Sequence, residues 1–186
     1  MTTRWVAAAV ASVVGGALAV PMILGSGDGV QMQETLPVAS HQRTSPGCQA
    51  EKKADLNFTL KDMNGGDVRL SDFKSKVLLI NFWGTWCAPC RAEIPELIKI
   101  ADKYKDKGVV VLGLAQQDTP EDLRAFAAQY KMNYPSLLST TEVEEAFGPM
   151  WAVPMSFLID RAGSICFKHI GPVTMPQVEK ALQPPL

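Results

Sequence analysis

Two stretches of the chain, residues 77–82 and 109–115, are apolar almost without interruption; the first is broken only by Asn81 and the second only by Gly113. Strands covered on both faces read this way, because neither side needs to meet water. They are therefore expected as central strands. Between them, Ile94, Leu97, Ile98, Ala101 and Tyr104 recur at helical spacing from Ala88 onward. Lys103, Lys105, Lys107 and Gly108 supply a cationic last turn and a stop. A helix crossing between two strands of one sheet makes them parallel. Pro89 fits the first turn of that helix, whereas Pro95 lies inside it, removes a backbone donor and is expected to kink it.

The flanking patterns are shorter. Residues 56–60 and 68–70 alternate about Asn64-Gly65-Gly66 and predict a hairpin. Thr119-Pro120-Glu121-Asp122 opens a helix to about Lys131, and Thr141 with Glu144 reads as a capping box for a short helix ending near Gly148. Residues 156–159 and 165–170 enclose Asp160-Arg161-Ala162-Gly163, a second hairpin. A last helix starts at Thr174, where Gln177 completes another capping box. The order predicts an α/β fold: a mixed central sheet flanked by helices, with an N-terminal β-hairpin and a central helical insertion. At 186 residues there is room for one such domain, placed at 55–186, and a leader.

That leader has its own pattern. Residues 5–24 hold no charge, follow Arg4, and at about 1.5 Å per residue suffice for the roughly 30 Å core of a bilayer. Ala17-Leu18-Ala19 also fits a signal-peptidase site, but the apolar run continues beyond it, which favours a retained anchor over a cleaved signal peptide for residues 1–26. Residues 27–54, rich in Gly, Ser, Gln, Thr and Pro, read as a flexible linker. The 18 basic and 19 acidic residues leave a net charge of −1 with no long run of either sign, which excludes nucleic acid as a partner on charge grounds.

Four cysteines in an exported chain form an even set, and Cys87 and Cys90 are the close pair. Cys48 and Cys166 could join as a structural disulfide in an oxidising compartment, or remain small buried hydrophobes. Cys87-Ala88-Pro89-Cys90 places two sulfurs one helical turn apart, the reach needed for one to attack a disulfide and the other to resolve the mixed intermediate. A helix N-terminus favours the thiolate of its first residue. At an ordinary pKa near 8.5 about 3% of a thiol is ionised at neutral pH, against about half at a pKa near 7. Cys87 is thus the candidate nucleophile and Cys90 the resolving thiol. A zinc site is disfavoured because Cys48, Cys166, His41 and His169 show no ligand spacing. No cofactor or metal is required.

The segment from Asn81 to Arg91, Asn-Phe-Trp-Gly-Thr-Trp-Cys-Ala-Pro-Cys-Arg, resembles the active-site stretch of the TlpA/ResA/CcmG group of membrane-anchored thioredoxin-like proteins. Pro95, the helix near 119–131 and Val153-Pro154-Met155-Ser156-Phe157-Leu158-Ile159-Asp160 follow in similar order, over roughly residues 56–182. The resemblance implies a thioredoxin-like fold and a thiol:disulfide oxidoreductase. Its expected home is the bacterial periplasm, tethered to the inner membrane by the N-terminal segment. It further implies that Pro154 is a cis-proline facing the cysteines and that Val153 meets an extended substrate. Trp86, Ala88, Pro89 and Trp151 complete the expected groove, although either tryptophan could instead be core packing.

Glu93 stands where the group often carries an acid that tunes the thiols; the competing reading is a solvated glutamate paired with a lysine of its own helix. Asn81 replaces the buried aspartate of many thioredoxins and cannot take a proton, which leaves that task to Glu93 or makes Asn81 a plain core amide. Met155 departs from the threonine or glutamate that relatives often carry after this proline, which argues against assignment to the cytochrome c maturation branch specifically, and soft-metal binding by Met155 with the thiols is a further reading. Implied partners are cysteine-containing proteins, either apocytochrome c or copper-site proteins of respiratory oxidase assembly, and an integral-membrane electron donor. A reductant of protein disulfides is expected first. A disulfide-forming oxidant, a Cu(I)-carrying assembly protein and a peroxidase are the rivals.

Overall fold

The computed structural model describes Cys48 and residues 52–183. The leader and most of the linker lie outside the described residues. The hairpin strands β1 (Thr59–Lys61) and β2 (Asp67–Arg69) form a two-stranded sheet. The main sheet follows with β3 (Val77–Trp83), α1 (Ala88–Tyr104), β4 (Val109–Ala115), α2 (Pro120–Tyr130), β5 (Ser136–Leu138), α3 (Thr141–Phe147), β6 (Met155–Ile159), β7 (Ile165–Ile170) and α4 (Met175–Leu182). Its order is β5-β4-β3-β6-β7, with β3, β4 and β5 parallel and β6 and β7 antiparallel. This is a thioredoxin-like α/β fold, and α2 is the central helical insertion.

Side chains alternate across β3 with a period of two. Leu78, Ile80 and Phe82 enter a core with Leu60, Phe147 and Phe157, in which the rings of Phe82, Phe147 and Phe157 meet at centroid distances of 5.2 to 5.9 Å. Val77 and Leu79 enter the opposite core, with Leu97 and Ile100 of α1 and Val178 and Leu182 of α4. Asn81 and Trp83 share this second face. An amide thus points at α1 from a fully buried strand.

Three differences from the sequence pattern have local causes. The short strand β5 lies outside the sequence pattern, since no paired run or tight turn flanks it; its partner β4 and the Gly113–Ser136 register define it. The cap of α3 is Thr140, whose Oγ1 accepts from Val143 N; Thr141 is the first helical residue, so the expected Thr141/Glu144 box is displaced by one position. The segment read as linker is already paired at its end, since Ile165 N donates to Lys52 O and Ala54 N to Gly163 O. The predicted caps at Thr119 and at Thr174 with Gln177 are present. α1 continues through Pro95 to Tyr104.

Candidate active site

The site grows from the C-terminal end of β3. Gly84 follows the strand, and a Cβ there would stand 2.6 Å from Trp86 Nε1, so only glycine lets the indole fold back over the chain. Trp86 Nε1 donates to Gln116 O at 3.0 Å, while the residue as a whole stays 54% exposed. Thr85 N donates to Asp118 Oδ2 at 2.9 Å, which fixes the turn. Cys87 is the N-cap of α1, with extended backbone angles (φ −86°, ψ 108°), and its Sγ accepts from Cys90 N at 3.2 Å. A helix dipole and a free N–H therefore both converge on this sulfur.

Cys87 and Cys90 are bonded to each other, with Cα atoms 5.2 Å apart. Cys90 is wholly buried and Cys87 is 5% exposed, so Cys87 is the sulfur an incoming disulfide meets first. Ala88 and Pro89, between them, are exposed. Across the gap, the Val153–Pro154 peptide is cis, and Val153 O lies 3.6 Å from Cys87 Sγ. Trp151 is 79% exposed beside it in sequence, which removes the core-packing reading.

Beneath the cysteines lies a buried polar cluster. Glu93, one turn beyond Cys90 on α1, is 2% exposed. Its Oε1 accepts from Asn81 Nδ2 at 2.8 Å and its Oε2 from Val173 N at 2.8 Å. Asn81 Nδ2 also donates to Ser156 Oγ at 3.0 Å, across the β3–β6 register. The alternative of a solvated glutamate paired on its own helix is thereby corrected: that role belongs to Glu96 with Lys99. Burial raises Glu93 from 4.5 to about 7, the two hydrogen bonds from Val173 and Asn81 opposing part of the rise. Tyr134 is also pushed well above its ordinary value, by burial and then by the Glu93 charge.

The AhpC/TSA family model matches residues 50–168. The chain belongs to the AhpC/TSA family. Within the family it is similar to a thiol-disulfide oxidoreductase ResA of Bacillus cereus, 38% identical over 130 residues that cover 68% of this chain and 73% of ResA. A thiol:disulfide interchange protein of the thioredoxin family from Chlorobium tepidum TLS shares the fold with a TM-score of 0.66 at 24% identity, over 72% of this chain and 96% of that one. A second Chlorobium tepidum protein, assigned as the thiol:disulfide interchange protein DsbE, superposes with a TM-score of 0.60 at 31% identity, over 72% and 94%. This AhpC/TSA family member is a thiol-disulfide oxidoreductase with Cys87 and Cys90 as its C-x-x-C pair.

Two other expectations meet the structure differently in this family member. Met155 is fully buried on the opposite face of the sheet, packed in the cluster of Phe82 and Phe147, whereas Cys87 and Cys90 pack with Trp83 and Ile94. Its proposed role as a soft ligand beside the thiols is therefore corrected: the period of two along β6 sends its sulfur the other way. Cys48 and Cys166 are bonded, with Cα atoms 4.7 Å apart. Among the described residues, the grouping suited to a metal is Cys48, Asp160 and Cys166, whose sulfurs that bond consumes. Val173, Ser156 and Tyr134 were missed by sequence reasoning. Only Ser156 carried a signal, as a polar residue in an apolar strand that aligns with Asn81.

Proposed function

We propose that this oxidoreductase is an extracytoplasmic reductant of protein disulfides, retained at the bacterial inner membrane by residues 5–24 and facing the periplasm. The observation that carries the reading is the seat of Cys87: an N-cap sulfur that accepts from a backbone N–H and lies 3.6 Å from Val153 O, in a rim with exposed Trp86 and Trp151. In the dithiol form the Cys87 thiolate attacks one sulfur of a partner disulfide and expels the other as a thiolate. Cys90 then attacks Cys87 Sγ, releases the partner as a dithiol and leaves the Cys87–Cys90 bond that the structure holds. Two electrons pass to the partner, and an integral-membrane donor restores the dithiol. The substrates are apocytochrome c haem-site cysteines or the cysteines of a copper-site protein; the likenesses to a thiol-disulfide oxidoreductase and a thiol:disulfide interchange protein support disulfide exchange with a protein partner.

Glu93 is the proton-handling group of this reading. A carboxyl with a pKa about 7, one helical turn from Cys90, changes charge in the range where the resolving thiol must lose its proton. Val153 and Pro154 provide the backbone wall against which an extended substrate lies.

Insulin or apoprotein reduction tests the reading: Cys87→Ser/Cys90→Ser is expected to fall to the uncatalysed rate, and a variant as active as wild type overturns it. The measured potential gives the direction. Thioredoxin-like and DsbA-like values differ by about 150 mV, roughly 7 kcal/mol, so a value near the DsbA end would make the protein an oxidant.

A further inference from the structure

The strand register gives the domain two poles. Cys87 and Pro154 lie where β3 ends and β6 begins. The opposite pole gathers the start of β3, the start of β4, the β6–β7 turn and the entry of the chain at residues 52–54. Seven residues of β3 separate the poles, roughly 20 Å at 3.3 Å per residue. Cys48 is bonded there to Cys166, and Lys53 bridges Ser164, so the first described residues of the chain are fixed at this pole.

The same pole carries a cavity of about 350 Å³, whose walls include Lys53, Lys74, Lys76 and Arg161 and whose floor includes Leu56 and Phe73. Lys53 Nζ donates to Ala162 O and Ser164 Oγ, and Arg161 Nη2 donates to Lys107 O, so these two cations are held in place on the turn. Ser75, with a left-handed φ of 69°, turns the chain between Lys74 and Lys76. Among the described residues neither of those lysines is in an ion pair. Of the acids nearby, Asp160 is buried and its Oδ1 accepts from Ala162 N and Ser164 N, while the exposed Asp55 accepts through Oδ1 from Asn57 N.

We infer that this basic pole is a docking face for the anionic phospholipid surface of the membrane that holds the leader. The cations meet lipid phosphates, and the disulfide at Cys48 fixes the exit point so that the Cys87 pole is turned outward to protein partners. Two observations select a lipid surface as the occupant: three lysines, Lys53, Lys74 and Lys76, line one cavity together with the apolar Leu56 and Phe73, and the same pole is the one joined by about 25 residues of linker to an uncharged stretch of membrane-spanning length. The inference rests on retention of that stretch.

The full chain, leader included, is reconstituted in phosphatidylcholine vesicles with and without phosphatidylglycerol, and lysine acetylation is followed by peptide mass spectrometry. Carbonate extraction is run in parallel. Lys74 and Lys76 are expected to react about fivefold more slowly with phosphatidylglycerol present, to recover at high salt, and to leave Lys131 as the unprotected reference. Lys74→Glu/Lys76→Glu should abolish the lipid-dependent protection of Lys53 while keeping reductase activity. Equal reactivity in both vesicles, with the chain resisting carbonate, overturns the docking face and spares the anchor. Protection seen only in native membranes assigns the face to an acidic protein and also overturns it. Release by carbonate overturns the anchor, and this inference with it.

Discussion

Cys87 and Cys90 close a ring across three positions of sequence, whereas Cys48 and Cys166 join residues 118 apart at the other end of the sheet. In the chain-entropy model the first bond constrains the unfolded chain by only about 2 kcal/mol and the second by about 5 kcal/mol. The surroundings differ in the same sense. The short ring faces Val153 O and follows directly on exposed Trp86; the long one ties the incoming chain to edge strand β7 beside Asp160, whose Oδ1 is occupied by the turn. A bond that must open and close in every turnover is best placed where opening costs the fold little. The bond that holds the fold is best kept away from substrate.

Removing the long ring is the strongest way to break this contrast. Cys48→Ala/Cys166→Ala is expected to lose about 3–5 kcal/mol in urea unfolding while keeping the insulin-reduction rate and the Cys87–Cys90 potential within error. Cys87→Ser/Cys90→Ser should do the reverse, with loss of activity and a stability change of at most about 2 kcal/mol. A shift in potential in the first variant would mean that the two pairs are coupled through β6 and β7, and the division of labour would fail.

Much of this was legible in the chain because it is periodic or local. The apolar runs 77–82 and 109–115 marked strands that need no polar face, and the placement of Cys87 followed from where the next helix had to begin. Glu93 shows where legibility stops. Its position on α1 is three past Cys90, which put it on the right face, yet whether it is solvated or buried depended on what stood opposite. That partner is Asn81, set by strand alternation, together with Val173 N from a loop eighty residues away. The loop contact leaves no trace in local pattern. The sidedness of Met155 was legible in principle, since it pairs with Phe82 in the same register that pairs Ser156 with Asn81.

Glu93 also sharpens the comparison, because it gives the reactive pair a titrating neighbour. Its folded pKa of about 7 exceeds the ordinary 4.5, so the folded protein holds this proton more tightly than the unfolded chain does. Stability from the group is complete below about pH 4.5 and declines as pH rises to about 7, by roughly 3 kcal/mol in all. Glu93→Gln should lack that decline, and should flatten the pH dependence of reductase rate across the same window. Unfolding curves between pH 4.5 and 8 check it; a wild-type stability that rises through this window would refute the burial argument. The Cys48→Ala/Cys166→Ala variant should keep the wild-type slope, since the Cys48–Cys166 bond and Glu93 occupy opposite ends of the fold.

The smallest expected effect isolates the rim from the ring. Trp83 and Trp151 are both tryptophans of the active-site end, but Trp83 is buried against Phe126 at a centroid distance of 5.3 Å and Trp151 is almost wholly in solvent. Trp83→Ala would cost core packing of about 3–5 kcal/mol, and its activity loss would say nothing about substrate. Trp151→Ala should change stability by less than about 0.5 kcal/mol. If its ring meets the partner, KM for a protein disulfide should rise about threefold to tenfold, with kcat held, while turnover of a small disulfide such as oxidised glutathione should not change. A uniform loss on both substrates would place Trp151 in the chemistry of the ring, and no loss on either would confine recognition to Trp86 and the Val153 backbone.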